Sequence, residues 1–111
     1  MCYGLRGLVY CQVDLRGSST DLHSGSFGGA VANPAFVLAQ LLAQMKDRSG
    51  RVKIDGFYDD VRPLTDEERQ AWATLPFNER QYRKDFGIPK VFGESGYTTL
   101  ERTWARPTFE V

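Results

Sequence analysis

The stretch Asp21-Leu22-His23-Ser24-Gly25-Ser26-Phe27-Gly28-Gly29 constrains this chain more than any other, because three glycines within five positions interrupt both helical and strand periodicity. The expectation is a loop, and it carries the chain's only histidine. An imidazole is the one side chain whose unperturbed pKa lies between pH 5 and 8, so His23 is the natural candidate for chemistry. The plainer alternative is a hydrogen-bonded structural histidine beside Leu22. A lone histidine is more often the structural one, and the loop adds modest weight to the chemical role, because loops carried on rigid elements hold a disproportionate share of functional polar residues.

The segments on either side of the loop have opposite periodicities. From Leu8 to Leu15 the residues alternate, with Val9, Cys11, Val13 and Leu15 on one face and Tyr10, Gln12, Asp14 and Arg16 on the other, which predicts a half-buried strand. Cys11 then reads as a small buried hydrophobe. After the loop, Asn33-Pro34 signals a helix start, since Asn caps free amides and Pro at the first helical position forfeits no bond. The helix is expected to run to about Asp47. Leu38, Leu41, Leu42 and Met45 fall at i, i+3, i+4 and i+7 and predict one apolar stripe packed on the sheet. Ser49-Gly50 stops it, with Gly50 as the left-handed residue.

Arg51 to Phe57 alternates again and predicts a second strand. Thr65-Asp66-Glu67-Glu68 and Thr98-Thr99-Leu100-Glu101 both fit the capping-box pattern, opening helices to about Leu75 and about Arg106. Asn78 caps a further short helix that ends before Gly87. The helices opened at Thr65 and Asn78 are rich in charge and look peripheral, anchored by Trp72, Phe77, Tyr82 and Phe86. Thr108-Phe109-Glu110-Val111 begins to alternate like a third strand, which leads to the expectation that the natural domain continues beyond this sequence.

Composition removes several function classes. Lys plus Arg and Asp plus Glu both number 14, so no net basic field recruits nucleic acid or anionic lipid. No apolar run approaches the roughly 20 residues that span a bilayer, and the first residues carry no signal-peptide pattern, so a cytoplasmic protein is expected. Cys2 and Cys11 fit no zinc or redox spacing. Asp59 and Asp60 are adjacent carboxylates that read as solvated rather than as metal ligands. A Ser24-His23 hydrolase fails on geometry, because neighbouring residues rarely bring a serine oxygen to the adjacent imidazole and no orienting acid is evident.

Asp21-Leu22-His23-Ser24-Gly25, followed by Phe27-Gly28-Gly29 and Asn33-Pro34, resembles the lid or dimerisation domain of the dinuclear-zinc dipeptidase family, which includes carnosinase-type dipeptidases, succinyl-diaminopimelate desuccinylase and glutamate carboxypeptidase. The likeness continues through Gly4-Leu5-Arg6-Gly7, Gly56-Phe57-Tyr58-Asp59-Asp60-Val61, Pro63-Leu64-Thr65 and Trp104-Ala105-Arg106-Pro107-Thr108.

The resemblance implies a hydrolase with two zinc ions in a separate catalytic domain of the same parent chain, none of them held by residues 1–111. It also implies a homodimer formed through the lid, and a peptide substrate. The histidine matching His23 then acts in trans, stabilising the oxyanion of a tetrahedral intermediate in the opposite subunit. Such donors are typically worth about 3 to 4 kcal/mol. The isolated chain is expected to be inactive. The expected fold is α+β, a two-layer sandwich with a ferredoxin-like β-α-β core, a helical insertion and an incomplete second half, over a single partial domain 1–111. Uncovered apolar surface predicts marginal stability or association. The alternative function is a non-catalytic self-associating interaction module.

Overall fold

The computed structural model describes residues 4 and 6–111. Cys2 and the Leu5 position of the Gly4–Gly7 entry lie outside the described residues. Among the described residues five helices follow one another: α1 (Ser24–Phe27), α2 (Pro34–Met45), α3 (Asp66–Ala73), α4 (Glu79–Asp85) and α5 (Thr99–Trp104).

Helix starts follow the sequence closely because their caps are local. Asn33 Oδ1 accepts from the Ala35 amide at 2.9 Å, with Pro34 at the first helical position. Thr65 and Glu68 form the expected capping box, as do Thr98 and Glu101. Asn78 Oδ1 accepts from the Gln81 amide at 3.0 Å. Helix ends are tighter than expected. α2 stops at Met45 rather than near Asp47 because Lys46 turns to extended geometry and forms an antiparallel bridge with Val52. α5 stops at Trp104, two residues short of Arg106.

The sheet expected from alternation is corrected. Among the described residues the Lys46–Val52 bridge is isolated, and no ladder forms at 8–15, 51–57 or 108–111. Alternation assigns side chains to faces, but a strand also needs a neighbouring edge to satisfy its amides and carbonyls. Residues 8–15 have no such neighbour, and Leu8, Val9 and Tyr10 are 91%, 86% and 89% exposed. Cys11 is exposed as well, not buried. After Val52 the chain curls through successive turns, with Phe57, Asp59 and Val61 amides donating to the carbonyls of Ile54, Gly56 and Tyr58. The ferredoxin-like β-α-β core is therefore not formed by the described residues. α2 likewise buries no residue fully: Leu38, Leu42 and Met45 are half-buried and Leu41 is exposed, since the described residues form no sheet for them to cover.

The packed part of the molecule lies around α5 and the turn at Val52 rather than on α2. Val52 is the one buried hydrophobic residue among those described, at 4% exposure, and it is joined by buried Thr99, Glu101 and Arg106. Glu94 is the pivot. Its carboxylate accepts from Arg106 Nε and Nη2 at 2.9 and 3.0 Å and from Arg51 Nη1 at 3.0 Å, and its carbonyl accepts from Arg102 Nε at 2.9 Å. The bidentate geometry pushes the Arg106 pKa up, through the Glu94 hydrogen bond first.

Aromatic rings close this cluster. The Arg51 guanidinium lies 4.4 Å from the Tyr58 ring centre and Arg106 lies 4.5 Å from that of Tyr97. Tyr58 hydroxyl accepts from the Val52 amide at 3.0 Å. Arg69 reaches from α3 to Glu101 on α5 at 2.9 Å, while Trp72 and Trp104 meet edge to face at 5.8 Å. Helices α3 and α5 are thus fastened by one ion pair and one ring pair. The chain as a whole is extended, with a radius of gyration of 19.8 Å against about 13 Å for a compact chain of this length.

Candidate functional site

The segment between Gly17 and Pro34 is pinched at its base. A Cβ built on Gly17 would stand 2.5 Å from Pro34 Cγ, so the Gly17 backbone lies against the Pro34 ring in space that a side chain would fill. Between them the chain runs out and back, and His23 is exposed on this excursion. Leu22, Phe27 and Val31 on the same loop are also exposed.

His23 is not in plain loop, contrary to expectation. It is the N-cap of the single helical turn α1, with extended backbone angles of φ −73° and ψ 119°. Its carbonyl accepts from the amides of Ser26 and Phe27 at 3.0 and 3.1 Å. Its ring does what an Asp or Ser side chain ordinarily does at this position: Nδ1 accepts from the Gly25 amide at 3.0 Å. Nε2 makes no hydrogen bond among the described residues. The helical turn escaped sequence reading because Ser-Gly-Ser-Phe has poor helix propensity, and its stabilisation comes from the capping ring instead.

Gly25 was missed as a contributor. A Cβ built there would lie 2.6 Å from His23 Cε1 and 3.0 Å from Nδ1. The ring therefore occupies the space that any other residue's side chain would fill. The available signal was the spacing His-x-Gly, which alone is weak.

The other candidates do not gather around His23. Asp59 and Asp60 are exposed in the 54–61 turns. Among the described residues no group of three or more His, Cys, Asp or Glu side chains is placed to hold a metal. The zinc ions implied by the resemblance find no fitting set of ligands among the described residues. No helix among the described residues is long and apolar enough to cross a membrane.

The model of the peptidase dimerisation domain matches residues 3–111. The chain belongs to that family. The dimerisation domain is 34% identical over 111 residues to the Cys-Gly metallodipeptidase DUG1 of Candida albicans, covering all of this chain and 23% of that protein. It is 32% identical over 109 residues to human Beta-Ala-His dipeptidase, covering 98% of this chain and 22% of that protein. Among solved structures it is similar to human carnosine dipeptidase 1, with a TM-score of 0.73 and 32% identity over 82% of this chain and 19% of that one. A metallo-carboxypeptidase of Sulfolobus solfataricus gives a TM-score of 0.67 at 35% identity, over 85% of this chain and 24% of that one. The chain spans less than a quarter of the length of these relatives.

Proposed function

We propose that residues 1–111 form the lid and dimerisation part of a zinc-dependent dipeptidase, and that His23 serves the hydrolytic centre of a second subunit. Peptide-bond hydrolysis develops negative charge on the carbonyl oxygen of the scissile bond, and a donor aimed at that oxygen lowers the barrier. His23 would supply the donor while the catalytic domain of the same parent chain, outside this sequence, supplies the metal chemistry. The observation that carries the reading is the placement of the chain's only histidine: exposed, on a loop pinched at Gly17 and Pro34, and flanked by exposed apolar residues suited to meeting another surface. The names of the relatives, dipeptidases and metallodipeptidases, agree with the substrate class.

The test is His23→Ala in the enzyme that carries this domain. Turnover is expected to fall by about two to three orders of magnitude, with metal content unchanged. An unchanged turnover number removes the catalytic role. If such a chain still pairs with itself, the non-catalytic interaction module becomes the better description.

A further inference from the structure

We infer that Gly25 is a positioning residue for His23, holding the imidazole in the tautomer that carries its proton on Nε2; the inference rests on the proposed role of His23 in trans. A neutral imidazole has one donor nitrogen and one acceptor nitrogen. The Gly25 amide donates to Nδ1 at 3.0 Å, so Nδ1 is the acceptor and the proton resides on Nε2. Nε2 has no partner among the described residues and is the atom left to donate outward.

Two separate properties of residue 25 are needed. Its amide fixes the tautomer, and its missing Cβ leaves room for the ring, which sits 2.6 Å at Cε1 from where that carbon would be. The contact also orients the ring without help from the rest of the fold. Every bond that sets it lies within residues 23–28: the Ser26 and Phe27 amides on the His23 carbonyl, the Gly28 amide on the Ser24 carbonyl at 2.8 Å, and the Gly25 amide on the ring. The donor is thus carried into an opposing site as a preformed unit, its ring orientation set before the encounter.

The experiment exploits the single histidine, whose nitrogen resonances in a 15N-labelled sample of this chain require no assignment. At alkaline pH, long-range proton–nitrogen correlation is expected to show Nδ1 wholly pyridine-like and Nε2 wholly pyrrole-like. Gly25→Ala is expected to shift both resonances toward the averaged values of free imidazole, whereas Ser24→Ala, which keeps the Gly25 amide, leaves them in place. In the enzyme carrying this domain, Gly25→Ala should lower kcat by roughly tenfold to a hundredfold with little change in KM.

An averaged pattern in the unsubstituted chain overturns the inference, and so does an unaltered pattern in Gly25→Ala. Should Gly25→Ala fail to fold, the spectrum of the unsubstituted chain decides alone. The two readings fail separately: unchanged turnover in His23→Ala removes the catalytic role and leaves the tautomer result standing, while a free-imidazole spectrum removes the role of Gly25 and leaves His23 as a donor.

Discussion

The ion pairs and ring pairs that join distant positions lie within residues 46–106, apart from Lys46–Glu110, whereas residues 6–31 form none among the described residues. The first region closes around Glu94, which joins Arg51 and Arg106 across a separation of 43 and 12 positions. The second exposes Leu8, Val9 and Tyr10 almost completely and holds order mainly through the local turn at His23. The difference shows what each kind of interaction demands. A bidentate ion pair or a capping box is complete with two residues, but a half-buried strand is not complete until a second edge and a covering layer arrive.

The largest expected effect comes from breaking the self-sufficient side. In the Glu94–Arg106 pair the side chains are only 11% and 10% exposed. Glu94→Ala leaves the Arg106 guanidinium buried without its acid, and removing one partner of such a pair typically costs about 3 to 5 kcal/mol. Denaturant unfolding of the α3–α5 region is expected to move by that amount, while the His23 ring resonances stay where they are. If the His23 signals collapse together with α3–α5, the two regions are one cooperative unit and the contrast between them is wrong.

Sequence legibility divides along the same line. Asn33, Thr65, Asn78 and Thr98 were readable as caps because the group they satisfy lies two or three residues away. Gly50 was readable as left-handed, and its φ is +84°, although it serves the 47–51 turn and not the helix end itself. The Glu94 cluster was not readable, since Arg51, Tyr58, Glu94, Tyr97 and Arg106 follow no period and meet only through tertiary closure. Alternation at 8–15 misled for a different reason: it assigns side chains to two faces and says nothing of a partner edge or a covering layer, and Val9 and Tyr10, placed on opposite faces, are both exposed. At the candidate site, His23 stood out in the sequence as the only histidine, while the ring-to-amide contact with Gly25 needed coordinates.

A smaller effect separates folding from association on the exposed side. Leu8 and Tyr10 are 91% and 89% exposed, so Leu8→Lys with Tyr10→Lys removes no internal packing and should change unfolding free energy by no more than about 0.5 kcal/mol. Sedimentation velocity is expected to show concentration-dependent association of the unsubstituted chain and its reduction in the double variant. A monomer at every concentration would mean that these apolar side chains do not mediate pairing, which sharpens the contrast by leaving α2 as the surface to test.

The smallest effect lies at the junction of the two regions. The Asp47 carboxylate accepts from Ser49 Oγ at 2.7 Å, Ser49 N at 2.8 Å and Arg51 N at 3.0 Å, and it folds the 46–52 turn that ends α2. These bonds, the Ser49 hydroxyl first, hold its pKa below the ordinary carboxylate value. A depressed folded pKa means that the contribution is fully present above the unfolded value of about 3.9 and is lost as pH falls through the lower folded value. Because Asp47 is exposed, the expected consequence is local: the Lys53 amide, which donates to the Met45 carbonyl at 2.8 Å, should lose exchange protection below about pH 4 while the Arg106 cluster persists. Asp47→Asn is expected to remove that acid dependence at Lys53. Equal loss of protection at Lys53 and at the α5 amides would instead show that the turn and the Glu94 cluster open together, so that the junction belongs to the self-sufficient side.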